Sequence, residues 1–140
     1  MAAIEAKQLQ NSLAFLSGMS ATDFDGVAEL LSPNFTLEFF PASLPPPGGK
    51  PKLNGEETLE WFKRATQEAF EHIIFLPPLH VVQGRDAVVL HVKSDGMSKS
   101  GKKYQNEYMF TFQFFGEKIV SLRQFVDSKY FVEFFAKDGV

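Results

Sequence analysis

The chain has 140 residues, enough for one domain over residues 1–140 with its own core, and a formal net charge of −3 spread through the sequence. No basic stripe is present, which argues against nucleic acid as a partner. The absence of cysteine removes disulfides, thiolate metal sites and a cysteine nucleophile.

The start, MAAIEAKQLQ, has no hydrophobic signal core and carries an acid early, so a cytoplasmic location is expected. No apolar run approaches the ~20 residues that cross a bilayer, so no membrane partner is expected. Residues 3–17 set Ile4, Leu9, Leu13 and Leu16 on a helical stripe, closed by Gly18. Ser20, three before Asp23, suits the cap of a second helix with Phe24, Val27, Leu30 and Leu31 inward and Pro33 as its stop. Residues 35–40 read as a strand. Residues 41–53, PASLPPPGGKPKL, form a loop of the length that marks a lid or disorder. Asn54 and Glu57 predict a capped third helix carrying Leu59, Phe62, Ala65, Ala69 and Phe70. Strands follow near 73–75, near 79–82 after Pro77-Pro78, and over 86–94. Residues 96–103 read as a polar turn.

The segment 104–126 predicts a long hairpin. Tyr104, Asn106, Tyr108, Phe110, Phe112 and Phe114 alternate with Gln105, Glu107, Met109, Thr111, Gln113 and Phe115. One face of that strand is almost wholly aromatic and the other mixed. Gly116-Glu117 suits a two-residue turn with glycine first. An unbroken register then sets Met109 opposite Gln124, Thr111 opposite Leu122 and Phe110 opposite Arg123. A short terminal helix completes the chain. Helices grouped before antiparallel strands indicate α+β: a curved antiparallel sheet wrapped over three helices, with a conical pocket at one end. The 16 phenylalanines exceed what one small core needs, so some are expected on a cavity wall or a subunit interface.

Asp23-Phe24-Asp25, Asn54-Gly55-Glu56, Asn106-x-Tyr108, and Lys118-Ile119 before Arg123-x-Phe125-x-Asp127 resemble the nuclear transport factor 2-like superfamily in its SnoaL-like branch of polyketide cyclases. Pro41-Ala42-Ser43-Leu44, Asn106-Glu107-Tyr108 and Phe125-Val126-Asp127-Ser128 look like small fungal members, some of which act as isomerases or cyclases in meroterpenoid pathways. The resemblance implies the cystatin-like α+β barrel. Ketosteroid isomerase shares that fold, but its oxyanion donors and carboxylate base fall near Phe15, Met109 and Phe39, all apolar here. That proton shuttle is therefore improbable. The branch often carries an acid where this chain has Gln124, which can hydrogen-bond but cannot act as a general base.

Alternation alone allows either face of the 104–115 strand to meet the helices. Alignment with the isomerase turns Glu107, Met109, Thr111, Leu122, Gln124 and Val126 toward the pocket and leaves Tyr108, Phe110, Phe112 and Arg123 for a homodimer surface. Arg123 is then placed for a cation–π contact with Phe110. The expected pocket is lined by Phe15, Phe39, Trp61 or Phe62, Met109 and Leu122, with the 41–53 loop at its mouth. Elimination leaves hairpin carboxylates as proton carriers: Glu107 first, its pKa raised by an apolar surround, then Asp127. The structural alternatives are an exposed or ion-paired Glu107 and a helix-capping Asp127. Gln124, Tyr108 and Asn106 would orient the substrate. Trp61 and Phe62 suit core packing as well as pocket walls. His91 shares a face with Ala87, Val89 and Lys93, at a rim or interface. The three histidines lack metal-ligand spacing and no phosphate loop is present, so neither metal nor cofactor is expected.

Two functions fit. One is a cofactor-independent isomerase, cyclase or dehydratase working by acid–base chemistry on a bulky apolar polyketide or terpenoid. The other is a non-catalytic dimer that binds a small apolar ligand or a partner protein.

Overall fold

The computed structural model describes residues 3–138. Its element order is α1 (Ala3–Ser20), α2 (Phe24–Ala28), β1 (Leu31–Phe40), β2 (Lys52–Asn54), α3 (Gly55–Glu68), β3 (Phe70–Phe75), β4 (His80–Gly84), β5 (Ala87–Ser98), β6 (Lys103–Tyr104), β7 (Glu107–Phe115), β8 (Lys118–Val126) and α4 (Ser128–Asp138). Helices precede a run of strands, and the fold is α+β, as the sequence implies. Eight strands form one sheet along the path β2-β1-β8-β7-β5-β3, with β4 and β6 also on β5. The sheet is mixed rather than wholly antiparallel, because β1 runs parallel to β8. It curls into a half-barrel. The first half of β5 pairs with β4 and β7, and its second half with β3 and β6.

Local chemistry explains most boundaries. α1 runs through Gly18, where a Cβ would stand 2.6 Å from Val27 Cγ2, so glycine lets α2 pack close. Asp23, not Ser20, caps α2 by accepting from the Gly26 N–H. Ser20 instead accepts the Phe75 N–H at 2.8 Å and ties α1 to β3. Near the other end of α1, the Gln8 amide donates to the Gly116 carbonyl and to Asp86, and Asn11 donates to the Glu117 carbonyl. These bonds fix α1 across the concave face. Asn54 and Glu57 form the reciprocal cap expected for α3. The polar turn expected at 96–103 is shorter, because β5 continues to Ser98. At Gly96 a Cβ would lie 2.7 Å from the His72 carbonyl, an approach only glycine permits.

The hairpin corrects the expected register. Gly116 has φ +60° and opens the two-residue turn. Gln113 then pairs with Ser121 and Phe114 with Ile119, which leaves Val120 as an extra residue. This β-bulge shifts every later pair by one: Phe110 lies opposite Gln124, Thr111 opposite Arg123 and Met109 opposite Phe125. A slip of one residue exchanges the faces of a strand relative to its partner. Tyr108, Phe110 and Phe112 therefore share the concave face with Leu122, Gln124 and Val126, and all three rings are at most 5% exposed. The aromatic face is core and cavity wall, not a dimer surface. Glu107, Met109 and Thr111 lie on the convex face, away from the helices. Arg123 stacks on Phe40 at 4.6 Å rather than on Phe110.

Candidate apolar-ligand site

Between the concave face and the helices lies a cavity of about 310 Å³, at the small end of the usual range for ligand sites. α1 contributes Phe15, Leu16 and Met19; α3 contributes Thr58, Trp61, Phe62 and Ala65. The sheet supplies Leu37 and Phe39 from β1, Ile73 and Phe75 from β3, Tyr108 and Phe110 from β7, and Leu122, Gln124 and Val126 from β8. Leu44 and Pro45 of the 41–53 loop and Phe131 and Phe135 of α4 complete the wall. Aromatic edges meet faces around it, as with Phe39 and Trp61 at 4.9 Å, and Phe75 with Tyr108 and Phe110 at 5.5 Å each.

Among the described residues no acidic or basic side chain lines this space. Its polar groups are few. The Thr58 hydroxyl is already spent on the Asn54 carbonyl at 2.7 Å. The Trp61 indole and the Gln124 amide make no hydrogen bond among the described residues. Tyr104 and Tyr108 bring hydroxyls, and both belong to a buried network. Asn106 Nδ2 donates to the Tyr104 hydroxyl at 2.7 Å, its backbone N–H donates to Ser94 Oγ at 3.2 Å, and Ser94 and Tyr108 share a hydrogen bond at 3.0 Å. Burial pushes the Tyr104 phenol up to about 12, partly offset by its bond from Asn106. Burial, then the neighbouring Tyr104, holds Tyr108 well above the ordinary phenol range. Both phenols stay protonated at neutral pH and act as hydrogen-bond donors, not as bases.

Of the residues singled out in the sequence, Phe15, Phe39, Trp61, Phe62, Tyr108, Leu122 and Gln124 line the cavity. Asn106 is buried at 1% exposure behind the wall, where it holds Tyr104. Met109 and Thr111 are on the convex face for the reason of register given above. Glu107 is there too: its Oε2 sits 2.5 Å from His91 Nε2, and its side chain is 47% exposed. It is a paired surface carboxylate, not an acid in an apolar surround. Asp127 caps α4, its Oδ1 accepting the Tyr130 N–H at 3.2 Å, and does not line the cavity. Neither carboxylate put forward as proton carrier touches the site. Tyr104 was missed, although it shares parity with Tyr108 on the aromatic face. The α4 aromatics and the 70–75 wall were missed because only the tertiary fold folds them over the sheet. Among the described residues no group of three or more His, Asp or Glu could hold a metal ion.

The sequence pattern of the SnoaL-like domain matches residues 13–122. Austinoid biosynthesis cluster protein H of Aspergillus calidoustus is 29% identical over 130 residues, 86% of this chain and 82% of that protein. The structure of AusH from Aspergillus nidulans superposes with a TM-score of 0.72 at 25% identity, over 88% of this chain and 85% of that one. The pinacolase BvnE from Penicillium brevicompactum superposes with a TM-score of 0.82 at 23% identity, over 97% and 96% of the two chains.

Proposed function

This chain belongs to the SnoaL-like family, and we propose that it is a cofactor-independent isomerase or cyclase acting on an uncharged, apolar metabolite of the polyketide or terpenoid kind. The carrying observation is the cavity: set between sheet and helices, aromatic-walled, and free of charged side chains among the described residues. Its relatives lend support, one being designated a biosynthesis cluster protein and a structural neighbour a pinacolase. Catalysis in such a site rests on shape and on hydrogen bonds from Tyr104, Tyr108 and Gln124, because no carboxylate among the described residues lines it. The substrate must be compact enough for about 310 Å³. A homodimer through the convex face belongs to the same proposal, supported by the exposed Phe125 (51%) and Met109 (42%) beside the Arg123–Phe40 stack.

The test is metabolic. Deleting the gene should make a compound accumulate that has the same mass as the missing product. Purified protein should then convert it with nothing added. Recovery of that compound unchanged would instead favour the second reading, a non-catalytic binding protein, for which the absence of any carboxylate, histidine or lysine on the wall among the described residues speaks.

A further inference from the structure

We propose that the ligand of this cavity is an uncharged molecule bearing a carbonyl oxygen, and that this oxygen accepts the hydroxyl hydrogen of the Tyr104–Tyr108 pair. The inference rests on the cavity being a ligand site and deepens that reading from a count of hydrogens. Ser94, Tyr104 and Tyr108 bring three hydroxyl hydrogens into one buried network. The Ser94–Tyr108 bond uses one of them. The two phenols also perturb each other, and a bond between them uses at most one more. The remaining bonds come from Asn106, whose N–H groups occupy lone pairs on Ser94 and Tyr104 without taking a hydrogen from either. At least one hydroxyl hydrogen is therefore left without an acceptor among the described residues.

Its place follows from burial. Ser94 is 1% exposed and does not line the cavity, so a surplus hydrogen there would be a stranded buried donor. Tyr104 and Tyr108 both line the cavity, and a ligand that presents an oxygen to either hydroxyl would meet a surplus there. The walls then decide the ligand's charge. Among the described residues no Lys, Arg or His is there to meet a carboxylate, and no Asp or Glu to meet an amine. Burying an unpaired ion costs more than one hydrogen bond returns. Because burial keeps the phenols protonated, the donor is present at any pH below the alkaline range. A donor aimed at a carbonyl oxygen stabilises negative charge that builds there when bonds shift within the substrate. All atoms stay in the substrate, and the phenol keeps its proton.

Trp61 is the only tryptophan and lines the cavity, so its fluorescence reports occupancy. Three probes share one skeleton: naphthalene, methyl 2-naphthyl ketone and 2-naphthoate. The ketone should bind about threefold to tenfold more tightly than naphthalene, the return of one neutral hydrogen bond. The carboxylate should bind more weakly than the ketone. The infrared carbonyl stretch of the bound ketone should lie below its frequency in an apolar solvent. Tyr108→Phe should weaken the preference and the shift, and Tyr104→Phe with Tyr108→Phe should abolish both. Naphthalene affinity should stay within about twofold, which also reports that the variants are folded. Equal binding of ketone and hydrocarbon with an unshifted carbonyl overturns the proposal, as does tightest binding of the carboxylate. If no probe alters Trp61 emission, the ligand-site reading fails first and this proposal falls with it.

Discussion

Tyr104 and Glu57 respond to pH in opposite directions because one is buried and the other is paired at the surface. Burial raises the Tyr104 phenol from 10.0 to about 12. A raised folded pKa means that its contribution is fully present below pH 10 and is lost as the pH climbs toward 12, on the order of 3 kcal/mol in total. Urea unfolding midpoints should fall between pH 9 and pH 11, and Tyr104→Phe should lessen that dependence, with buried Tyr108 supplying the rest; a flat wild-type profile would contradict it. Glu57 is held below the ordinary carboxylate range by Lys50 and by the Asn54 N–H. Its contribution is present above that range and fades as acid protonates it, so the start of α3 should loosen first at low pH. Two further residues test the site. Gly96→Ala forces a Cβ within 2.7 Å of a backbone carbonyl and should cost about 1–3 kcal/mol in chemical denaturation. Glu107→Gln should leave cavity binding unchanged, since that carboxylate pairs with His91 on the opposite face. A tenfold change in probe affinity would return Glu107 to the site.

At the scale of elements, the β7–β8 hairpin carries the most consequence per residue. Both strands alternate cleanly, and the turn is marked by Gly116, so the hairpin was legible in the sequence. The bulge at Val120 was not, because an extra residue changes no local propensity; it shows only in the pairing. Which face of β7 is buried can be read in a pair of truncations. Phe110→Ala should cost about 3–5 kcal/mol, the usual loss for a buried phenylalanine, whereas Met109→Ala should cost less than about 1 kcal/mol. The reverse order would restore the unbroken register. α4 is a second case. Its Phe131 and Phe135 line the cavity while Phe134 packs on Tyr104 at 4.8 Å, so the terminal helix closes the wall behind the phenol pair.

For the whole molecule, the curled sheet separates two surfaces with different tasks. The concave side is filled by helices and the cavity. The convex side keeps apolar side chains in water, among them Phe125 and Met109, with Phe115 at 82% exposure near the turn. A second copy laid face to face would cover the Phe40–Arg123–Phe125 group, in which Phe40 and Phe125 stack within 5° of parallel. Sedimentation velocity at micromolar concentration should show a dimer, and Phe125→Glu should shift it to monomer without moving the thermal midpoint of a dilute sample. A monomeric wild type would end that part of the proposal. No described helix is long and apolar enough to cross a membrane.

The α+β class, the capped α3 and the β7–β8 hairpin were written in local pattern, whereas the wall residues Phe15, Phe39 and Leu122 were placed by the family resemblance. Capping boxes, alternation and glycine turns act over a few residues and need no partner to be recognised. The tertiary structure decided which face of β7 looks inward, because one bulge far from Tyr108 sets the parity of the pairing. It also decided the fate of the acids. A carboxylate is functional or structural according to what it meets across the sheet, and Glu107 meets His91 while Asp127 meets the first turn of α4. The buried phenols became the polar end of the site for the same reason: burial and hydrogen-bond supply belong to a place in the fold rather than to a position in the chain.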